Sequence, residues 1–547
     1  MKYLALPLVL AIATATASTA QNVAAPQISL PTLQRVTEQL SSDAFEGRAP
    51  GTEGERLTVE LLAQEFQRAG LQPGNNGSWF QDVPLVEIAL QGNPQLRIAG
   101  GSGAPITFNY RTDFVGASYR AQPNVAVENS DIVFVGYGIN APERGWNDYE
   151  GVDVRGKTVV ILVNDPDWSS EGLEGTFGGR AMTYYGRWTY KFEEAARQGA
   201  AAALIVHDTR PAAYGWNVVE NSWTGPQPYM QTPNGGADQT AMNGWLTNDA
   251  ARRLLAAGGQ DLDALTRAAQ QRSFRAVPLN LTASVSLQNE IRRFASRNVV
   301  GILPGTTRPE EYVLYTAHWD HLGICREEGE DRICNGATDN ATGTAALVAL
   351  AEANARAGRT ERSQVFVAVT AEESGLLGSA YYAANPIYPL AQTVGGLNID
   401  SLSMQGDARD FSAVGAGKSE LDAVLGRAIA AENLTLTPES SPEAGIYYRS
   451  DHFSLAKQGV PMVYAKLGQD LLNGGTAAGQ AWSTAYRAER YHGPEDEYDP
   501  NWDWSGAMKE MRIFYRVGRD LATSEAWPNW NEGDEFRAIR DRSRAGR

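Results

Sequence analysis

Short apolar strands alternate with helices from about residue 310 towards the C-terminus, and this alternation constrains the fold more than any other feature. The strand-like runs are EYVLYTAH (311–318), SQVFVAVT (363–370), TVGGLNID (393–400) and VPMVYAKL (460–467), and helical patterns such as NATGTAALVALAEANARAG lie between them. Strands connected through helices form mainly parallel sheets with helices on both faces. The pattern therefore predicts an α/β fold built on a mainly parallel mixed sheet, with functional residues at the carboxyl ends of the strands.

The stretch LYTAHWDHLG (314–323) holds two of the five histidines of the chain, at the end of the first of these strands. Side chains alternate across a strand, so His318 and Asp320 should point to one side and His321 to the other. We therefore expect His318 to bind a metal and the Asp320 carboxylate to accept its other ring N–H, as metal-binding histidines usually require. His321, like His207 and His452, is expected to have a structural role.

Acidic residues and a further histidine follow the other strands or begin the helices between them. They are Asp339 in ATDNATG, Glu372 and Glu373 in AEES, Asp400 in GGLNID and His492 in YHGPEDEYD. Each has an ordinary structural explanation alone, such as a helix cap for Asp339. If one of the adjacent glutamates holds a proton, the remaining residues offer two imidazoles and three carboxylates. That set suffices for two zinc ions when one carboxylate bridges them.

Residues 1–20 have the pattern of a secretory signal, with Lys2, the apolar run YLALPLVLAIATA and small residues before Ala20. No later segment reaches the roughly 18 apolar residues that a membrane-spanning helix needs. The formal net charge of −17 argues against nucleic acid or an anionic membrane as a partner. We therefore expect an exported protein, periplasmic or secreted, in which Cys325 and Cys334 form a disulfide across the polar loop REEGEDRI.

Other segments differ in character from the alternating strands and helices. Residues 31–72 carry apolar side chains at helical spacing, interrupted by the Gly- and Pro-containing loop DAFEGRAPGTEGE. The pattern of residues 130–287 predicts a self-contained β-rich unit. Segments 402–417 and 468–490 are expected to be loops beside the site, and the Arg-rich end, 537–547, to be a solvated tail.

At these residues the sequence resembles the zinc aminopeptidase family M28. The resemblance rests on HWD, GATDNATG, TAEESGLLGS, NID, SDH and YHGPEDE in the family's order and approximate spacing, and it extends to LSSDAFEGRAPGTEGE near the N-terminus. Residues 130–287 resemble a protease-associated domain. The implied organisation is a signal peptide (1–20), an N-terminal part of the peptidase domain (21–129), the insertion (130–287) and a C-terminal part that carries the metal site (288–547).

The resemblance also implies a role for each metal-binding residue. His318 and Asp400 would hold one zinc ion, Glu373 and His492 would hold the other, and Asp339 would bridge the two. Many family members have a second aspartate where this chain has Thr338, but Asp339 itself is present, so two zinc ions per chain are still expected.

Three residues near the metals are implied to take part in catalysis. Glu372 would be the general base, Asp320 would orient His318, and Tyr447 would help to polarise the substrate carbonyl. Tyr448 is a rival for that last role.

The function that the resemblance implies is that of an exported di-zinc aminopeptidase acting on peptides with a free N-terminus. A carboxypeptidase or dipeptidase of the same fold stays open, because Arg449 and Arg487 could bind a substrate carboxylate. A glutaminyl cyclase would use one zinc ion, which the full ligand set argues against. A catalytically inactive, receptor-like member should lack ligands or the base, and none is missing. The sequence makes no prediction about oligomeric state.

Overall fold

A computed structural model describes residues 26–101 and 103–545. The predicted signal peptide, residues 1–20, lies outside the described residues. Within the described part of the chain, no helix is both long enough and apolar enough to cross a membrane.

The strands and helices of the described residues are numbered in chain order. The strands are β1 (Gln72–Pro73), β2 (Phe80–Gln91), β3 (Gln95–Gly100), β4 (Ile106–Asn109), β5 (Phe114–Ala117), β6 (Asn124–Phe134), β7 (Asn140–Ala141), β8 (Trp146–Asn147), β9 (Thr158–Leu162), β10 (Ala202–Val206), β11 (Pro226–Met230), β12 (Met242–Leu246), β13 (Val277–Leu303), β14 (Arg308–His318), β15 (Gly323–Ile324), β16 (Ile333–Cys334), β17 (Arg362–Val369), β18 (Thr393–Asn398), β19 (Asp410–Ala413), β20 (Thr435–Pro438) and β21 (Met462–Leu467). The α-helices are α1 (Leu30–Leu40), α2 (Glu53–Arg68), α3 (Trp188–Arg197), α4 (Thr209–Ala212), α5 (Trp216–Trp223), α6 (Asn248–Ala257), α7 (Leu262–Ala269), α8 (Gly343–Arg356), α9 (Leu377–Ala384), α10 (Leu421–Ala431), α11 (His452–Ala456), α12 (Gly475–Glu489), α13 (Ser505–Thr523) and α14 (Arg537–Arg544).

Four parallel strands form the centre of the sheet, in the order β17, β14, β18, β21. β13 pairs antiparallel with β17 on one side, and β19 pairs antiparallel with β21 on the other. These four central strands are the runs that the sequence predicted. The predicted fold class, α/β with a mainly parallel mixed sheet, is confirmed.

Helices cover both faces of this sheet, and alternation along β14 shows why. Val313 and Tyr315 belong to a buried cluster that includes residues of α1, α2, α8 and α13. Leu314, between them, belongs to a second cluster with Tyr382 of α9 and Leu455 of α11. Since both faces of a central strand are apolar, burial of the whole strand requires helices on each side.

A long pair of strands, β2 and β13, connects the sheet with residues 92–287, which we call the middle segment. β2 and β13 pair antiparallel from Phe80 opposite Val299 to Gln91 opposite Gln288, so the chain enters the segment along β2 and returns along β13. Beyond this pair, β6, β9, β10 and β12 form a parallel group. Residues 96–287 supply the members of two further buried apolar clusters.

The domain boundaries at residues 129/130 and 287/288 stay a prediction, as does the protease-associated identity of the insertion. Strand pairing in this region is informative. β3 pairs with β13 and β5 pairs with β12, so strands before residue 130 share a sheet with strands of the predicted insertion, 130–287. β13 itself continues through residues 287 and 288 without a break.

The predicted disulfide between Cys325 and Cys334 is present, with 5.7 Å between the Cα atoms. It closes the hairpin of β15 and β16. The Cys334 sulfur also lies 3.6 Å from the backbone oxygen of His492. The disulfide hairpin therefore contacts the loop that carries a predicted metal ligand.

Three predictions about local structure are wrong. Segment 402–417, expected to be a loop, contains the strand β19. Segment 468–490, also expected to be a loop, contains the helix α12, and the Arg-rich end contains the helix α14. Arg540 in α14 is only 1% exposed and donates from Nη2 to the Val394 oxygen at 2.9 Å. The C-terminal end of the described chain is therefore packed against the sheet.

Candidate metal centre

The carboxyl ends of three neighbouring strands bring the predicted ligands together. His318 is the last residue of β14, Glu373 follows β17, and Asp400 follows β18, and β14 lies between the other two strands. Asp339 comes from the loop before α8, and His492 comes from the turn after α12. All five predicted metal ligands therefore reach one edge of the sheet.

Potential ligand atoms lie within 4.8 Å of one another in two groups. One group contains His318, Asp339 and Glu373, and the other contains His318, Glu372 and Asp400. His318 is buried and common to both groups. The atoms are nitrogen and carboxylate oxygen, which are the donors that zinc accepts in proteins.

The Asp339 carboxylate lies between the two histidines. Its Oδ1 is 3.3 Å from His318 Nε2, and its Oδ2 is 3.5 Å from His492 Nε2. Each histidine also lies near a second carboxylate: Asp400 Oδ1 is 3.6 Å from His318 Nε2, and Glu373 Oε2 is 3.2 Å from His492 Nε2. The arrangement is two histidine–carboxylate pairs with a third carboxylate that directs one oxygen to each pair.

The electrostatics of this cluster suit a cation. Within residues 26–101 and 103–545, no lysine or arginine forms an ion pair with Asp339, Glu372, Glu373 or Asp400. Carboxylates removed from water need a positive partner. Divalent metal ions meet that requirement and also match the donor atoms, so the residues fit zinc.

Asp320 holds the turn that carries the two glutamates. Its Oδ1 accepts the backbone N–H of Glu372 at 3.0 Å, and its Oδ2 accepts that of Glu373 at 3.3 Å. The carboxylate is 3.7 Å from His318 Nδ1, whereas the backbone oxygen of Asp320 is 3.2 Å from that nitrogen. The strand ends at His318, before the alternation could carry Asp320 alongside it. Asp320 therefore positions the glutamate turn directly, and it contacts His318 more closely through its backbone.

His321 also contacts a predicted ligand. It is 1% exposed, and its Nδ1 is 2.7 Å from Glu373 Oε1. The other oxygen of Glu373 faces His492. His321 therefore has a positioning role, with one ring nitrogen on a carboxylate whose second oxygen is directed to the metal site.

Glu372 is partly buried beside the second ligand group. Burial raises the pKa of Glu372 well above its usual value; the positive charge of His318 opposes this shift, and the negative charges of Glu373 and Asp400 add to it. A carboxyl group whose pKa is raised in this way is suited to accept and release a proton.

The predicted tyrosine, Tyr447, is buried. Its hydroxyl has no hydrogen-bond partner among the described residues, and its ring lies edge-on to His452 with 4.6 Å between centroids. Its rival, Tyr448, donates its hydroxyl to Glu535 at 3.3 Å. Neither hydroxyl contacts a predicted ligand.

Two other tyrosines do contact predicted ligands. The Tyr464 hydroxyl donates to Asp400 Oδ2 at 3.4 Å, and the Tyr491 ring stacks on His492 with 3.8 Å between centroids. Tyr464 lies in β21, next to β18 in the sheet, and Tyr491 precedes His492 in the chain. The sequence could have indicated Tyr491, because it is next to the predicted ligand His492. It could not have indicated Tyr464, because that prediction needs the order of the strands in the sheet.

Asp496 and Arg48 support the Asp339 loop and were not predicted. Asp496 Oδ2 accepts the N–H groups of Thr338 and Asp339, each at 3.0 Å. Arg48 is fully buried and donates to the backbone oxygens of Leu40, Trp319, Asn335 and Gly336 at 2.7–3.0 Å. Both residues lie within motifs that resemble the family, EGRAPG and YHGPEDE, but their partners are remote in sequence.

A histidine–carboxylate cluster at the carboxyl edge of a parallel sheet is a site typical of metal-dependent hydrolases. Residues 298–515 match the model of peptidase family M28. This range includes the four central strands and every predicted metal ligand. That part of the chain is therefore similar to peptidase family M28.

Two curated relatives are similar to parts of this chain. Aminopeptidase NAALADL1 of the mouse, Mus musculus, is 30% identical over 129 residues, which are 22% of this chain and 16% of the relative. Aminopeptidase NAALADL1 of the rat, Rattus norvegicus, is 28% identical over 184 residues, which are 31% of this chain and 23% of the relative. The chain thus spans less than a quarter of the length of the curated relatives it matches.

Two solved structures can be aligned with most of this chain. An aminopeptidase from Aneurinibacillus sp. strain AM-1 gives a TM-score of 0.48 at 19% identity, covering 91% of this chain and 95% of that one. The zinc aminopeptidase BSAP from Bacillus subtilis gives a TM-score of 0.42 at 18% identity, covering 92% and 97%.

Proposed function

We propose that this protein is a di-zinc aminopeptidase that removes N-terminal residues from peptides. The observation that supports the proposal most is the Asp339 carboxylate, which directs one oxygen to the His318 side and the other to the His492 side of the cluster. A bridging carboxylate needs this geometry, and a site for a single ion does not. His318 and Asp400 would hold one ion, and Glu373 and His492 the other.

The zinc ions, when bound, would lower the pKa of a water molecule and polarise the substrate carbonyl. The chain itself supplies the proton transfer. Glu372 would accept the proton of the attacking water and then donate it to the leaving amine. Asp320 would keep Glu372 in place through the backbone N–H groups of the turn. Since Tyr464 and Tyr491 contact ligands and Tyr447 does not, they are better placed than Tyr447 to reach a substrate near the metals.

The proposed setting is outside the cytoplasm, in the periplasm or secreted. The N-terminal signal pattern and the disulfide between Cys325 and Cys334 support it, because disulfides persist in oxidising compartments. Proteomic detection of the mature chain beginning near Gln21 in the periplasmic or culture fraction would support export, and a chain retaining Met1 in the cytoplasm would refute it.

A matched panel of chromogenic substrates tests the proposed specificity. We expect aminoacyl-nitroanilides to be hydrolysed, and the same compounds with an acetylated amine to be resistant. We also expect about two zinc ions per chain by elemental analysis, with activity lost on chelation and restored by zinc. Hydrolysis of the acetylated compounds would refute the proposal that the protein is an aminopeptidase. Release of C-terminal residues alone from unlabelled peptides would instead establish a carboxypeptidase.

A further inference from the structure

The side chain of Asn340 joins separate segments of the candidate metal centre. Asn340 is 1% exposed. Its Nδ2 donates to the backbone oxygens of His318 at 3.2 Å and Ile399 at 3.1 Å. Its Oδ1 accepts the backbone N–H groups of Gly343 at 3.0 Å and Ser401 at 2.8 Å. An asparagine amide has two N–H donors and an oxygen with two lone pairs, so every hydrogen-bonding position of this amide is occupied.

Three of these four hydrogen bonds reach the backbone at or beside a predicted metal ligand. One acceptor is the carbonyl of His318 itself, and two other partners are the backbone groups on either side of Asp400. Asn340 also follows Asp339, the predicted bridge, directly in the chain. One buried amide therefore connects the backbone segments that carry His318, Asp339 and Asp400.

Pairing between the strands does not make this connection. Among the described residues, the last backbone hydrogen bond between β14 and the chain that leaves β18 runs from the Ile399 N–H to the Thr316 oxygen, at 2.8 Å. Asp400 lies beyond that bond, and Ser401 leaves the extended conformation with a φ of 64°. The position of Asp400 relative to β14 therefore depends on contacts from outside the two strands, and Asn340 supplies two of them.

A helix cap accounts for only one of the four hydrogen bonds. Asparagine often accepts a backbone N–H at the start of a helix, as Asn340 does from Gly343, the first residue of α8. The other three bonds cross to β14 and to the segment after β18. Thr344 also donates its hydroxyl to the His318 oxygen, at 2.7 Å, so that oxygen keeps a partner without Asn340. The backbone groups beside Asp400 have no second side-chain partner among the described residues, so loss of the amide should affect Asp400 most.

The ligand atoms that Asn340 relates to one another surround one metal position. Asp339 Oδ1 is 3.3 Å and Asp400 Oδ1 is 3.6 Å from His318 Nε2. Within the described part of the chain, the Asn340 side chain forms no hydrogen bond with the segments that carry the other two predicted ligands. Groups that orient metal ligands typically contribute about 10–100-fold to metal affinity. Asn340 should therefore act on the ion at His318 and Asp400.

We propose that Asn340 is a positioning residue that holds His318 and Asp400 at the spacing required to bind one zinc ion together with Asp339. The inference rests on the proposed di-zinc function and adds to it a residue whose side chain contacts only backbone groups. Aspartate at this position would have nearly the same size but would set a carboxylate oxygen against two carbonyl oxygens that the amide now binds. Buried acceptors that face each other without a donor are unfavourable, so Asn340→Asp should displace the Asp400 segment.

Backgrounds with a single zinc site assign the effect to one ion. His492→Ala should leave only the ion on the His318 side, and Asp400→Ala only the ion on the His492 side. Zinc titration against a chromophoric chelator then measures one affinity in each background. Adding Asn340→Asp should lower the zinc affinity by about 10–100-fold in the His492→Ala background and leave it unchanged in the Asp400→Ala background. In the otherwise wild-type protein, the same substitution should lower only one of two affinities.

Further variants separate positioning from charge and from folding. Asn340→Ala removes the amide without adding a negative charge, and it should lower the same affinity even if Asn340→Asp does not fold. Asn354→Asp is the matched control, because Asn354 is also buried and its Nδ2 donates to the Leu350 oxygen within α8. The control should leave the affinity unchanged in both backgrounds. The visible absorption of bound Co²⁺ reports the arrangement of its ligands, so its bands should shift when Asn340→Ala is added to His492→Ala.

Two results would overturn the inference. One is a zinc affinity in the His492→Ala background that neither Asn340 substitution lowers. The other is an equal loss in both backgrounds, which would indicate a general structural role. Peptide cleavage by the wild-type protein decides the proposed function separately: without cleavage the function fails while a site-specific loss of zinc affinity still upholds the role of Asn340. Cleavage with unaltered zinc affinities would instead uphold the function and refute the role of Asn340.

Discussion

Substitution of His321 should weaken one metal site and leave the other unchanged. The His321 imidazole is buried and lies 2.7 Å from Glu373 Oε1, while Glu373 Oε2 is directed to His492. In His321→Ala the glutamate loses the contact that fixes its orientation. Hydrogen bonds to charged groups contribute about 1.5–3 kcal/mol. The zinc ion held by Glu373 and His492 should therefore bind about 10–100-fold more weakly.

Zinc titration against a chromophoric chelator measures the two affinities separately. We expect two affinities in the wild-type protein, and a decrease in only one of them in His321→Ala, with activity restored by excess zinc. His321→Gln should bind zinc more tightly than His321→Ala, because its amide can donate to the glutamate. Asn354→Ala is the control: it removes a buried polar side chain at the far end of α8 and should leave both affinities unchanged.

Two results would refute this reasoning about His321. Unchanged zinc affinities in His321→Ala would mean that the contact with Glu373 does not orient the carboxylate. An equal loss at both sites would mean that His321 supports the whole cluster, for example through the Asp339 loop.

Four other outcomes are expected. Asp339→Ala should lose both zinc ions, so a full complement by elemental analysis would rule out the bridge. Glu372→Gln should keep both ions but lower kcat by about 10²–10⁴-fold, as steady-state kinetics on a nitroanilide would reveal. Cys325→Ser with Cys334→Ser should lower the free energy of unfolding by about 2–3 kcal/mol in urea titrations, and an unchanged midpoint would contradict this. Burial lowers the pKa of His452 from 6.5 to about 3, so its contribution to stability is complete above pH 6.5 and is lost as the pH falls towards 3. Urea titrations near pH 5 should therefore find a loss of roughly 2 kcal/mol that is absent from His452→Phe.

The sequence predicted the central sheet because its strands are apolar and short and are separated by clear helical patterns. It also predicted the residues of the metal cluster, since parallel strands gather their carboxyl ends at one edge. The five predicted ligands do converge there in the structure. Their individual roles stay predictions that the metal analyses above would test.

The contacts that support the cluster were not predictable in the same way. Arg48 is buried by carbonyl groups from Leu40 and from a loop nearly 290 residues away in the chain, and no local pattern encodes those partners. Strand alternation could not place Asp320, because β14 ends at His318 and the next residues follow a loop path.

The two missed helices show the limits of periodicity. α12, with the sequence GTAAGQAWSTAYRAE, begins at Gly475, directly after Gly474. It is mostly exposed, and it lacks the apolar stripe of a core-facing helix. α14 is rich in arginine, and its attachment depends on Arg540, whose charge suggested a solvated residue. In both helices the stabilising contacts are specific to the tertiary structure.

The continuity of β13 has a consequence for protein engineering. One uninterrupted strand pairs with β3 and β6 in the middle segment and with β2 and β17 beside the peptidase sheet. A cut at residues 287/288 that separated the two parts would therefore remove β11 from β2 and leave an unpaired strand edge, which is a template for self-association. A shortened peptidase would instead need a tight turn between Gln91 and Gln288, where the paired strands already lie side by side. Grafting a foreign module at that position would replace the middle segment while keeping the β2–β13 ladder intact.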